Sequence, residues 1–137
     1  MRNFPMIAAA ATLIAGCTQA PPPPQSMQGS VRLQQLLAGK AAGAAANCIP
    51  GFRANGAPSF VTPTQAVFVV NPALVYVSDV QGSGCEDAAD PDNIIVTKSS
   101  SSLGLCQGDT MRILDLQTKV VKGACTLSEF VPYRRAS

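Results

Sequence analysis

A chain of 137 residues with 13% charged side chains, a formal charge of +2, no histidine and no tryptophan has room for one domain of ordinary size. It also lacks the side chain that most often moves protons near neutral pH, so Ser-His-Asp, Cys-His and imidazole-metal sites are excluded.

The chain opens on Met1-Arg2-Asn3, a positively charged start, followed by an alanine-rich apolar run from Phe4 to Leu13. This is the pattern of a secretory signal, too short to be a spanning helix. It ends in Ile14-Ala15-Gly16-Cys17, which matches the bacterial lipobox, in which two small residues precede the cysteine that takes up diacylglycerol. Residues 1–16 are therefore expected to be a lipoprotein signal peptide and Cys17 the lipidation site. Thr18 stands where an inner-membrane retention aspartate would stand, so the expected place is the cell envelope, on the outer membrane with the domain in the periplasm. Loss of residues 1–16 leaves nine basic side chains against eight acidic ones, which gives no electrostatic case for nucleic acid. The membrane partner is held through acyl chains instead, at about 0.8 kcal/mol per buried methylene.

Residues 17–30 contain four consecutive prolines, Pro21 to Pro24, and read as a lipidated cysteine with an extended spacer. A single domain is expected over residues 31–137. Ser30 can cap a helix from Val31 to about Ala46, with Leu33, Leu36, Leu37, Ala41, Ala44 and Ala45 at helical spacing. Gly39 and Gly43 weaken it, so it needs a sheet to pack on. From residue 60 onward short strands are expected: Ala66 to Val70, Leu74 to Val80, Asn93 to Thr97, Met111 to Leu116, Thr118 to Val121 and Ala124 to Val131. Asn71-Pro72 forces a turn between the first two, and Val67, Val69, Val75 and Val77 supply core positions. Pro63 and Pro72 must lie outside the ladder. Gly82-Ser83-Gly84, the run Lys98-Ser99-Ser100-Ser101-Ser102 and the tail Tyr133-Arg134-Arg135 read as exposed loop or frayed terminus.

With Cys17 lipidated, Cys48, Cys85, Cys106 and Cys125 remain, an even number in an exported chain, and two disulfides follow. Zinc needs ligands two to four residues apart, a spacing these cysteines do not have. Three pairings are open, of which Cys85–Cys106 with Cys48–Cys125 is favoured, joining the middle strands and tying the helix end to the last strand. Glu86, Asp87, Asp90 and Asp92 form the densest polar cluster, but without the ligand spacing and central glycine of an EF-hand loop, so a solvated loop is expected and no metal. In Cys106-Gln107-Gly108-Asp109, Gly108 can take positive φ and Asp109 can bond nearby backbone, which predicts a turn.

Ala38-Gly39-Lys40-Ala41-Ala42-Gly43, Cys48-Ile49-Pro50, Leu105-Cys106-Gln107-Gly108-Asp109 and Cys125-Thr126-Leu127 before Phe130 and Pro132 together resemble a family of small proteobacterial envelope lipoproteins of unknown function. The resemblance covers about residues 31–132 and implies a helix packed on a small β domain with four cysteines. It implies no reaction, cofactor or catalytic residue. The fold expected is α+β: one N-terminal amphipathic helix on a small antiparallel sheet or partly open barrel of five or six strands, with two disulfides. The function expected is noncatalytic, a structural or interaction role toward an envelope protein or the cell wall. The alternative is a binding module for a small ligand or cell-wall fragment.

Overall fold

The computed structural model describes residues 25–51 and 58–136. The expected signal peptide, the lipidated Cys17 and the four prolines lie outside the described residues. Among the described residues the fold is α+β: one α-helix and a curled antiparallel sheet that forms a half-barrel, with two disulfides.

The helix, α1, spans Gln25–Leu37, starting earlier than Val31 and ending well before Ala46. Ser30 is inside it and is not its cap. It stops because Gly39 takes a left-handed conformation at φ 72°, a geometry glycine adopts without steric cost. Lys40 Nζ then donates to the Leu36 carbonyl and satisfies one of the carbonyls left open at the helix end. The next residues form a strand, β1 (Lys40–Ala42). Ala41, Ala44 and Ala45 therefore do not extend the apolar helix face. Their helix propensity is overridden by ladder bonds to the last strand, in which Ala42 pairs with Tyr133 and Lys40 with Arg135.

Eight further strands follow: β2 (Cys48–Pro50), β3 (Phe60–Val61), β4 (Gln65–Asn71), β5 (Leu74–Gln81), β6 (Asn93–Lys98), β7 (Gly104–Cys106), β8 (Thr110–Asp115) and β9 (Val121–Arg135). Among the described residues the main sheet has seven strands in the order β3-β4-β5-β9-β8-β6, with β1 also on β9, while β2 and β7 pair separately. The expected Thr118–Val121 strand is mostly the β8–β9 turn. Asp115 closes that turn by accepting the amides of Gln117 and Thr118 at 3.0 and 2.8 Å.

β9 holds the sheet together. Along one edge it pairs with β8 over its first half and with β1 over its last three residues, and along the other edge it pairs with β5. The tail Tyr133-Arg134-Arg135 is thus not frayed. Each of its residues is paired, and the Arg135 amide also donates to the Ala73 carbonyl at 3.0 Å.

The β4–β5 hairpin forms where expected, with Pro63 and Pro72 outside the ladder. Its two faces pack against different partners. Ala66, Phe68 and Tyr76 face the concave core with Met111, Ile113, Leu127 and Phe130. Phe68 and Phe130 meet edge to face with ring centroids 5.8 Å apart. Val67, Val75 and Val77 face outward and form a second buried cluster. Burial on both faces explains why the valine alternation gave only half of this hairpin's core positions.

Candidate functional site

The four cysteines pair as Cys48–Cys106 and Cys85–Cys125, which corrects the favoured pairing. Cys48 lies directly opposite Cys106 in the β2–β7 ladder, with Cα atoms 4.0 Å apart. Cys85 opens a short 3-10 helix (Cys85–Ala89) that crosses beside β9, placing it 5.5 Å from Cys125 between Cα atoms. Neither contact is readable from sequence, because β2 is three residues long and its partner lies far along the chain. By loop-closure entropy each bridge contributes about 4 kcal/mol.

The two bridges differ in access. Cys85 and Cys125 are buried, whereas Cys48 and Cys106 are half-buried. Thiol–disulfide exchange requires an attacking thiolate to reach a sulfur. Limited reduction of the native protein, followed by alkylation and peptide mapping, should therefore label Cys48 and Cys106 first. Earlier labelling of Cys85 and Cys125 would contradict this order.

The connection before Cys85 is exposed at Gly82 and Ser83, as expected, but it is also held against β9. Gly84 and Gly123 lie backbone to backbone: a Cβ built on Gly123 would stand 2.8 Å from Gly84 Cα, and one built on Gly84 would stand 2.8 Å from Gly123 Cα. The Ala124 amide donates to the Ser83 carbonyl at 3.2 Å. This crossing brings Cys85 to Cys125.

Asp109 is the only ionisable residue other than Tyr76 among the buried ones described, at 2% exposure. Gly108 takes positive φ, as expected, and turns the chain so that the Asp109 carboxylate points back on its own loop. One carboxylate oxygen accepts the Cys106 amide at 2.7 Å. The other accepts the amide and the hydroxyl of Ser100 at 2.9 and 2.8 Å. Burial pushes this carboxyl up, but the donated bonds from Cys106 and Ser100 outweigh it and hold the group below its ordinary value.

The serine run is therefore anchored and not simply solvated. Ser99 Oγ donates to the Gly104 carbonyl at 2.7 Å, and Ser100 is committed to Asp109. These hydroxyls act as structural donors rather than as an activated nucleophile beside Lys98.

In the acidic loop, Asp90 accepts the Asp92 amide at 2.9 Å, and the Asp87 carbonyl accepts the Asn93 side-chain amide at 2.8 Å. Among the described residues no three Cys, Asp or Glu side chains are grouped closely enough to hold a metal ion. No described helix is long and apolar enough to cross a membrane.

Among the described residues, the outer sheet face carries a cleft of about 430 Å³ with mixed lining. Val77, Val131 and Tyr133 supply its apolar surface, and Gln65, Asp79, Gln107, Ser128 and Glu129 its polar groups. Gln65 Nε2 donates to Asp79 Oδ1 at 3.1 Å, which orients both side chains. Two carboxylates and two carboxamides suit a ligand carrying amines, amides or hydroxyls. Period-two alternation would have found this face, since Val77 with Asp79 and Glu129 with Val131 and Tyr133 each recur at every second residue.

Comparison with protein-family models, with curated proteins and with solved structures finds no match.

Proposed function

We propose that this chain is a noncatalytic cell-envelope lipoprotein, anchored through Cys17 and presenting a disulfide-linked domain that binds or braces a neighbour on the periplasmic face. The observation that carries this reading is how the polar chemistry is used. Both disulfides and the buried Asp109 carboxylate tie down the β7–β8 turn, the serine loop and the crossing at Gly84, so the most protected polar groups fix the shape of the domain. Two disulfides agree with an oxidising compartment. The finer arrangement in this reading is α1 lying over the outer valines as the element that leads from the lipid-attached segment onto the sheet.

The expected partners are the membrane, through acyl chains, and an envelope protein or the cell wall, with no nucleic acid. Metabolic labelling with a fatty acid should mark the wild-type chain and leave Cys17→Ala unlabelled; a labelled Cys17→Ala chain would refute the anchor. A photoreactive residue placed at Glu129 or at Lys98 in intact cells should capture a defined envelope neighbour.

A second reading is favoured by the cleft itself. Its apolar surface with five polar side chains fits a module for a small ligand or cell-wall fragment. Soluble peptidoglycan fragments that shift the resonances of Val77, Val131 and Tyr133 would select this reading over the first.

A further inference from the structure

The sheet ends on β6, a six-residue strand that pairs with β8 on one side and with no strand on the other among the described residues. The opposite end is β3, of two residues. Long free edges carry unpaired amides and carbonyls and are templates for another strand. β6 alternates in a fixed way: Ile95 and Thr97 pair with the buried Ile113 and Met111, so Asn93, Ile95 and Thr97 point to the core side. Ile94, Val96 and Lys98 point outward, and Val96 is 47% exposed.

Two buried side-chain atoms among the described residues have no hydrogen-bond partner, Asn93 Oδ1 and Thr97 Oγ1. Both belong to this one edge strand and to the same face of it. A buried polar atom left unpaired is costly and calls for an explanation.

We propose that the chain forms a two-fold symmetric dimer in which β6 adds antiparallel to β6 of a second copy, centred on Ile95. In an antiparallel two-fold pair the central residue faces its own equivalent, and residues equally far on either side face each other. Centred on Ile95, Asn93 faces the partner's Thr97 and Thr97 faces the partner's Asn93. Both atoms are enclosed by their own chain in the single copy, so pairing turns each side chain toward the seam; each threonine hydroxyl then donates to an asparagine oxygen, and all the orphaned atoms are matched. On the outer face Ile94 meets the partner's Val96. At the ends the exposed Asp92 meets the partner's Lys98, giving two opposite-charge pairs.

The neighbouring registers fail these matches. Centring on Val96 sets Ile94 against the partner's Lys98 and leaves Asn93 opposite the partner's Ser99. Centring on Ile94 brings Pro91 into the ladder opposite the partner's Thr97, where it has no amide to donate.

The test uses the chain from Thr18 onward, exported behind an ordinary cleavable signal in place of residues 1–17, so that neither acyl chains nor an uncleaved apolar signal can drive association. Sedimentation equilibrium should give twice the chain mass at high concentration. Asp92→Lys and Lys98→Asp each turn both end pairs repulsive and should weaken dimerisation about tenfold, while an equal mixture of the two variants should restore it, since each pair is then again of opposite sign. Both side chains are exposed, so the fold is unaffected. Hydrogen exchange gives a second measure: amides of Ile94 to Lys98 should gain protection as concentration rises. A chain that stays monomeric, a dimer indifferent to both charge reversals, or a mixture no tighter than the single variants would each overturn the proposal.

Discussion

Replacing Asp109 by alanine should cost about 3 kcal/mol or more, because three donors that now point at one carboxylate would be left inside the turn without an acceptor. For a domain of this size that lowers the thermal midpoint by about 15 °C. Asp109→Asn keeps the shape but turns an NH₂ toward donors, so it should recover only part of the loss. The effect is tied to pH with a definite sign. The carboxyl of Asp109 sits below its ordinary value in the folded chain, so its stabilising contribution is fully present above the unfolded carboxylate pKa of about 4. It fades as pH falls through the lower folded value. Wild-type protein should thus lose stability on acidification below about pH 4 more steeply than Asp109→Asn. Urea titrations of the two proteins across that interval check this directly; parallel curves would remove Asp109 from its structural role.

The second large effect is expected at Gly123. Valine there places a Cβ 2.8 Å from the Gly84 Cα and from the Ser83 carbonyl oxygen, both of them backbone atoms that cannot rotate away. Overpacking of this kind costs about 1 to 3 kcal/mol. The crossing also carries Cys85 to Cys125, so separating the two backbones endangers a bridge that contributes about 4 kcal/mol by loop closure. Gly123→Val should therefore accumulate with free thiols at Cys85 and Cys125, while Cys48–Cys106 still forms. Alkylation under denaturing conditions without reductant, read by mass, distinguishes these outcomes. A fully bonded variant with an unchanged thermal midpoint would show that the close approach is not required.

The sequence was most legible where local chemistry decides structure. Asn71-Pro72 between two valine-rich runs marks the β4–β5 hairpin without knowledge of its neighbours, and the Gly108-Asp109 turn follows from the φ that glycine permits and the reach of an aspartate. It was least legible where a distant strand decides. Lys40-Ala41-Ala42 has helical propensity and becomes β1 because the last residues of β9 offer it a ladder. The disulfide pairing depends on β2 finding β7, which the cysteine spacing alone cannot indicate. At the candidate site, the Asp109 turn was visible but its anchor Ser100 was not, because a run of four serines looks the same whether solvated or held.

The position of β9 has a consequence for how the molecule comes into being. The strand at the centre of the sheet is the last of the described strands in the sequence, and β1, β5 and β8 all depend on it for an edge. Until its residues are available, the earlier segments can make little more than the β4–β5 and β6–β8 pairs. Assembly by such distant contacts is slow and waits on the whole chain. If the chain is exported as proposed above, such a delay is an advantage: the sheet cannot close early and lodge in the export channel.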